Sequence, residues 1–137
     1  MQTKMDKKIK GDLGEEFICA ELVKRGHKII ERNFRKSYGE IDIISQIGRF
    51  IVFTEVKTRQ RNSMVSGLEA VNATKRRRIV QTADFYLCNV YPGLNNKVLQ
   101  PRYDIAEVII TRGELPTVVR FDIYEDAFTT DGIYTLY

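Results

Sequence analysis

The chain has 137 residues, of which 43% are hydrophobic and 29% charged, and a net charge of +4 from 22 Lys and Arg against 18 Asp and Glu. That is one domain's length, enough to bury a core without staples, and the composition is ordinary for a soluble globular protein. Two cysteines, Cys19 and Cys88, fall in stretches that read as helix and form no CxxC, which argues against a disulfide scaffold or a zinc site. Both thiols are expected to be buried and free, as suits a reducing compartment. The opening residues are polar, and no apolar run approaches the ~18 residues of a spanning helix. The expectation is a cytoplasmic protein with no membrane partner.

In chain order, residues 7–25 read as a helix stopped by Gly26. Apolar residues spread around most of its circumference, which predicts burial on more than one side. Strands follow at about 27–35, 39–47 and 50–58, the last two rich in β-branched and aromatic residues. Gly48-Arg49 between them suits a type II′ hairpin turn. A loop containing Gly67 is expected over 59–68. A second helix runs from 69 or 74 to 89, with Ile79, Ala83, Tyr86 and Leu87 on its inner face, and Tyr91-Pro92-Gly93 ends it. Strands at about 102–112 and 117–125 complete the order α-β-β-β-α-β-β, and the segment 126–137 has no clear assignment. That order predicts a single α/β domain, a mixed sheet of about five strands flanked by helices.

Chemistry concentrates in the central hairpin. Alternate strand residues share a face, so Glu55 and Lys57 continue a row begun by Ile51 and Phe53. A two-residue turn at Gly48-Arg49 pairs Ile47 with Phe50, so that Asp42 lies opposite Glu55 and Glu40 opposite Lys57. Directly opposed Cβ atoms are ~4.5–5.5 Å apart, where two carboxylates repel unless a cation lies between them or one is protonated. A divalent metal resolves that conflict, since Mg²⁺ takes one or two carboxylates plus phosphate and water. Lys57 is placed to orient or deprotonate a water or to stabilise charge developing on phosphorus. A three-residue loop with a bulge shifts the register by one and breaks the site. An edge-strand charge network among Asp42, Glu55, Glu40 and Lys57 is the other reading of the same residues.

Gly39-Glu40-Ile41-Asp42 followed by Phe53-Thr54-Glu55-Val56-Lys57-Thr58-Arg59 resembles the PD-(D/E)xK nuclease signature, with Ile41 standing where the named motif has proline. Gly11, Gly14-Glu15, Gly26, Arg32-Asn33-Phe34-Arg35, Ala70-Val71, Lys75 and Arg120-Phe121-Asp122 extend the likeness over most of the chain. The fuller pattern resembles the YraN family of small bacterial endonuclease-like proteins. The resemblance implies a restriction-endonuclease-like core, similar to archaeal-type Holliday junction resolvases. It also implies an active site of Glu15, Asp42, Glu55 and Lys57, with Asp42, Glu55 and Glu15 around Mg²⁺ or Mn²⁺. Glu15 heads a stripe with Ile18, Cys19 and Leu22. Glu16 is almost as well placed by periodicity, and it is the resemblance that favours Glu15.

Lys75-Arg76-Arg77-Arg78 opens the second helix, where cations oppose the helix dipole. A DNA phosphate would reward that placement, and a solvated cationic face is the plainer account. Arg59 is a further candidate phosphate contact and Tyr38 a candidate for stacking on a base, although surface and rim roles suit them as well. His27, the only histidine, is expected at the surface.

Three functions fit these residues. The first is a Mg²⁺- or Mn²⁺-dependent endodeoxyribonuclease acting on duplex or branched DNA, for which structure selectivity and a homodimer are open expectations. The second is a non-catalytic nucleic-acid-binding module of the same fold. The third is an interaction protein whose acidic cluster meets a partner.

Overall fold

The computed structural model describes residues 4–62, 71–91 and 98–130. The Gly67 loop, the Pro92-Gly93 stop, Ala70 and the chain after 130 lie outside them. The elements are α1 (Lys4–Lys24), β1 (Lys28–Lys36), β2 (Gly39–Ile47), β3 (Phe50–Gln60), α2 (Ala73–Asn89), β4 (Gln100–Ile110) and β5 (Val118–Phe128). The five strands form one sheet in sequential order. Neighbours are antiparallel except β3 and β4, which run parallel because α2 carries the chain back between them. The result is the expected α/β arrangement, a mixed sheet flanked by two helices and compatible with a nuclease-like core.

Each helix covers its own face. On the α2 side Ile44, Ile51, Phe53 and Ile105 pack with Ile79, Val80, Ala83 and Tyr86. On the α1 side Ile43, Ala106, Val108 and Ile110 pack with Ile18, Cys19 and Leu22. Phe53 and Tyr86 are fully buried, and full burial of a side chain as large as Phe53 is worth roughly 1.5–3 kcal/mol. Asn72 caps α2, its Oδ1 accepting from the Lys75 backbone N–H at 3.0 Å, and this puts the helix start near the later of the two expected positions. The cap sets Lys75 in the first turn.

Several expectations are corrected here. Helix α1 is buried along one stripe only, with Val23 57% exposed and Ile9 53% exposed on its outer side. One sheet face is all the surface available to it, so the extra apolar residues stay in water. Cys19 is buried but Cys88 is exposed, on the outer side of α2. His27 is buried, its Nδ1 2.9 Å from the Ser45 Oγ. Burial, and then the Arg102 guanidinium, hold its pKa below the ordinary value. Strand β3 runs on to Gln60, into the expected loop, because Arg61 donates its N–H to the Ile110 carbonyl at 2.8 Å and keeps the chain on β4. Among the described residues no helix is long and apolar enough to cross a membrane.

Candidate active site

The two-residue turn is present: Ile47 pairs with Phe50 and Gly48 has φ +55°. A positive φ at the first turn residue and none at Arg49 is the type II′ pattern. The register then runs to Ile43 opposite Thr54 and ends one pair short of Asp42 and Glu55. Alternation also breaks here, since Ile41 and Ile44 both join the α2-side core while Ile43 joins the α1-side core. Across on β1, between the pairs Arg32–Ile43 and Phe34–Ile41, Asn33 has φ +53°. The kink separates β2 from β3, and the Asp42 Oδ2 accepts the Val56 backbone N–H at 2.7 Å. The aspartate thus substitutes for a lost ladder bond while staying beside Glu55.

Glu55 is 4% exposed. Its Oε1 lies 2.9 Å from the Lys75 Nζ and 3.3 Å from the Lys57 Nζ, and its buried Oε2 has no hydrogen-bond partner. Burial, then repulsion from Glu55, pushes the Asp42 carboxyl up to about 8. Burial and the neighbouring Lys75 ammonium pull Lys57 below the ordinary lysine range. Burial works against the charge of Lys75 too, but there the Glu55 carboxylate outweighs it and the pKa rises. Asp42, Glu55, Lys57 and Lys75 are therefore one electrostatic unit. The sequence alone offered Lys75 a DNA phosphate or solvent and not Glu55, and the Asn72 cap was the signal that fixes its turn.

Glu15 reaches the same region from α1. It is the buried member of the Glu15–Glu16 pair, and its charge adds to the raised pKa of Asp42. Its Oε1 accepts from the Arg32 Nε at 3.2 Å, the Arg32 Nη2 at 3.1 Å and the Asn33 Nδ2 at 2.8 Å. Arg32 also holds Glu16 at 2.6 Å. These partners went unrecognised in the sequence, where an asparagine amid β-formers was the available sign of a left-handed kink. Two glycines let the helices close on the site. A Cβ at Gly14 would collide with the Thr58 Oγ1, and one at Gly39 would fall 2.9 Å from the Arg78 carbonyl oxygen.

The remaining candidates divide. Tyr38, 40% exposed, lines a cleft of about 570 Å³ with Lys75 and Arg78. Arg77 and Arg78 are exposed. Arg76 turns inward, donating from Nε to the Val71 carbonyl at 2.9 Å with its guanidinium 5.4 Å from the Phe128 ring centre. Arg59 pairs with the buried Glu107 at 3.2 Å. Glu40 pairs with Arg35 at 2.9 Å instead of Lys57, because the ladder has already ended.

Among the described residues, no three His, Cys, Asp or Glu side chains are grouped as a metal site. Two carboxylates fit one, however. The pKa of Asp42 is raised by burial and then by Glu55, a conflict a bound cation would relieve, and Glu55 has a buried oxygen without a hydrogen-bond partner. Oxygen donors of this kind suit Mg²⁺ or Mn²⁺.

Fold and site together define an α/β protein with a carboxylate–lysine cluster on its central hairpin. Its particular family follows from comparison: the model of the uncharacterised protein family UPF0102 matches residues 14–123, and the chain belongs to that family. This bears out the YraN resemblance, and the matched span contains Glu15, Asp42, Glu55 and Lys57. A UPF0102 protein of Caldanaerobacter subterraneus subsp. tengcongensis is 40% identical over 112 residues, 82% of this chain and 88% of its own. One from Alkaliphilus metalliredigens is 45% identical over 100 residues, 73% and 84% of the two chains. One from Dictyoglomus turgidum is 35% identical over 125 residues, 90% and 100%.

Proposed function

We propose that this protein is a cytoplasmic Mg²⁺- or Mn²⁺-dependent endonuclease that hydrolyses phosphodiester bonds in duplex or branched DNA. One observation carries the reading. A buried glutamate with an unpartnered oxygen lies beside an aspartate whose pKa is pushed up to about 8, and two lysines flank them. Burying like charges together costs stability, and a site that binds a cation and an anionic substrate accounts for the arrangement.

Asp42 and Glu55 would hold the metal, with Glu15 joining if Arg32 releases it. When bound, the metal would supply positive charge to the phosphate oxygens and acidify a water. Lys57, with its depressed pKa, takes a proton from the attacking water or donates to the charge building on phosphorus. Lys75 neutralises a non-bridging phosphate oxygen as it leaves Glu55. The water oxygen bonds to phosphorus, the phosphorus–oxygen ester bond breaks, and the leaving oxygen takes up a proton. Two strands cut symmetrically need two such sites, which makes a homodimer the expected working form.

The test is cleavage of labelled duplex, single-stranded and four-way-junction DNA with Mg²⁺ or Mn²⁺, alongside identically purified Glu55→Ala and Lys57→Ala. Cleavage by the wild type that both variants lose is the expected result. Equal cleavage by all three, or by none, overturns the enzyme. A second reading, a non-catalytic nucleic-acid-binding module, is favoured by one feature. Glu55 and Glu15 already have side-chain cations as partners. DNA binding that needs no metal and survives Asp42→Asn, without cleavage, would select it.

A further inference from the structure

We propose that the cleft between the start of α1 and the end of β3 binds a phosphate of the nucleic-acid strand, next to the phosphate that meets Glu55. The proposal rests on the nucleic-acid reading above and adds Lys7, Lys10 and Arg112 as contacts.

The cleft measures about 570 Å³, and its lining includes Lys7, Lys10, Lys57, Arg59, Gln60 and Arg112, with no acidic residue among the described residues. Lys57 and Arg59 have carboxylate partners, whereas Lys7, Lys10 and Arg112 have no ion pair among the described residues. Cations gathered without counter-charge repel one another, and an anion between them turns the repulsion into attraction.

The wall of the cleft is an open strand edge. Pairing with β2 ends at Thr54, so among the described residues β3 beyond it pairs with β4 and no other strand. The N–H of Val56 points away from β4 to Asp42, while that of Arg61 points to β4. Direction alternates along a strand, so the N–H groups of Thr58 and Gln60 point to the open edge, into a cation-lined space. Backbone N–H groups framed by Lys and Arg are a recurrent way of holding phosphate. A second copy adding a strand here would bring its own cations against these, which disfavours that occupant.

Position ties the cleft to the cluster. Lys57 lines this cleft and pairs with Glu55; Lys75 lines the Tyr38 cleft and pairs with the same oxygen. A strand whose reacting phosphate lies at Glu55 therefore has a cationic hollow on either side. The shared ligand chemistry is a phosphate oxyanion, supplied by an internal diester or by a terminal monoester.

The experiment is fluorescence anisotropy in EDTA, which excludes turnover, over a range of salt. The probes are single-stranded and duplex oligonucleotides bearing a 5′-phosphate or a 5′-hydroxyl. Lys7→Gln/Lys10→Gln/Arg112→Gln should bind at least tenfold more weakly than wild type, and its slope of log affinity against log salt should be shallower by about 2. A thermal melt checks its fold, and Lys10→Glu alone carries the test if the triple variant is unstable. A wild-type preference for the 5′-phosphate, lost in the variant, identifies the terminal monoester; equal affinities identify the diester. An unchanged slope overturns the cleft and leaves the nuclease reading standing. Absence of wild-type binding also overturns the cleft, and the metal-dependent cleavage assay then decides the parent reading separately.

Discussion

Strand β3 is two strands in one. Residues 50–54 pair on both sides, and all but Phe50 are buried. Among the described residues, 55–60 pair with β4 alone, and they carry Glu55, Lys57 and Arg59. Full pairing on both edges leaves only side-chain packing to optimise, so the first half is apolar. Where β2 departs, the ladder no longer claims the backbone on that side, and polar side chains such as Asp42 can meet it. The chemistry sits where pairing stops, and Asp42 is the residue at the seam.

The largest expected effect breaks the apolar half. Phe53→Ala removes a fully buried ring stacked near Tyr103 and edge-on to Tyr86. It should cost about 3–5 kcal/mol, read by urea unfolding. A loss below that range would mean the core closes over the gap. Next comes the approach of α1 to the open half. Gly14→Ala drives a methyl into the Thr58 side chain, and overpacking costs about 1–3 kcal/mol. Alanine's helix preference returns up to ~1 kcal/mol. A net loss is expected, and Gly14→Ala/Thr58→Ser should not relieve it, because Ser keeps the offending oxygen, whereas Gly14→Ala/Thr58→Ala should.

Much of this difference was legible in the sequence. Gly48-Arg49 set the register, and the Ile51–Phe53–Glu55–Lys57 row placed acid and lysine on one shared face. The end of the ladder was not legible. Nothing local to Asp42 reveals that its carboxylate replaces a strand bond; the left-handed residue that accompanies the kink, Asn33, lies across the sheet on β1. The cluster Lys75–Arg78 read as one basic run, yet helical spacing sends Lys75 to Glu55, Arg76 to Phe128 and the last two to solvent. The burial of His27 was hidden for the same reason, since its partner Ser45 lies on another strand.

At the seam the test is pH. Folded Asp42 keeps its proton to about 8, while the unfolded chain releases it near 3.8. Between those values the folded state binds the extra proton, so stability from this group is full below about pH 4 and is lost as pH rises through 8. His27, with its lowered pKa, contributes with the opposite sign, so the quantity to measure is the difference from Asp42→Asn. The variant should gain on wild type from pH 5 to pH 8. Added Mg²⁺ at pH 8 should restore the wild type and leave the variant unmoved. A constant difference would remove the carboxylate conflict from the account.

The smallest effect on stability falls on the helix facing the open half. Arg77→Ala/Arg78→Ala deletes two exposed side chains, so its stability should stay within about 0.5 kcal/mol of wild type. Arg76→Ala loses the Val71 hydrogen bond and the Phe128 contact and should destabilise by about 1–2 kcal/mol. Affinity for DNA should separate them the other way. The double variant should lose one to two from its salt slope, and Arg76→Ala should keep it. Equal losses of slope would mean that Arg76 turns outward when a phosphate arrives, and that the cationic start of α2 is rearranged on binding.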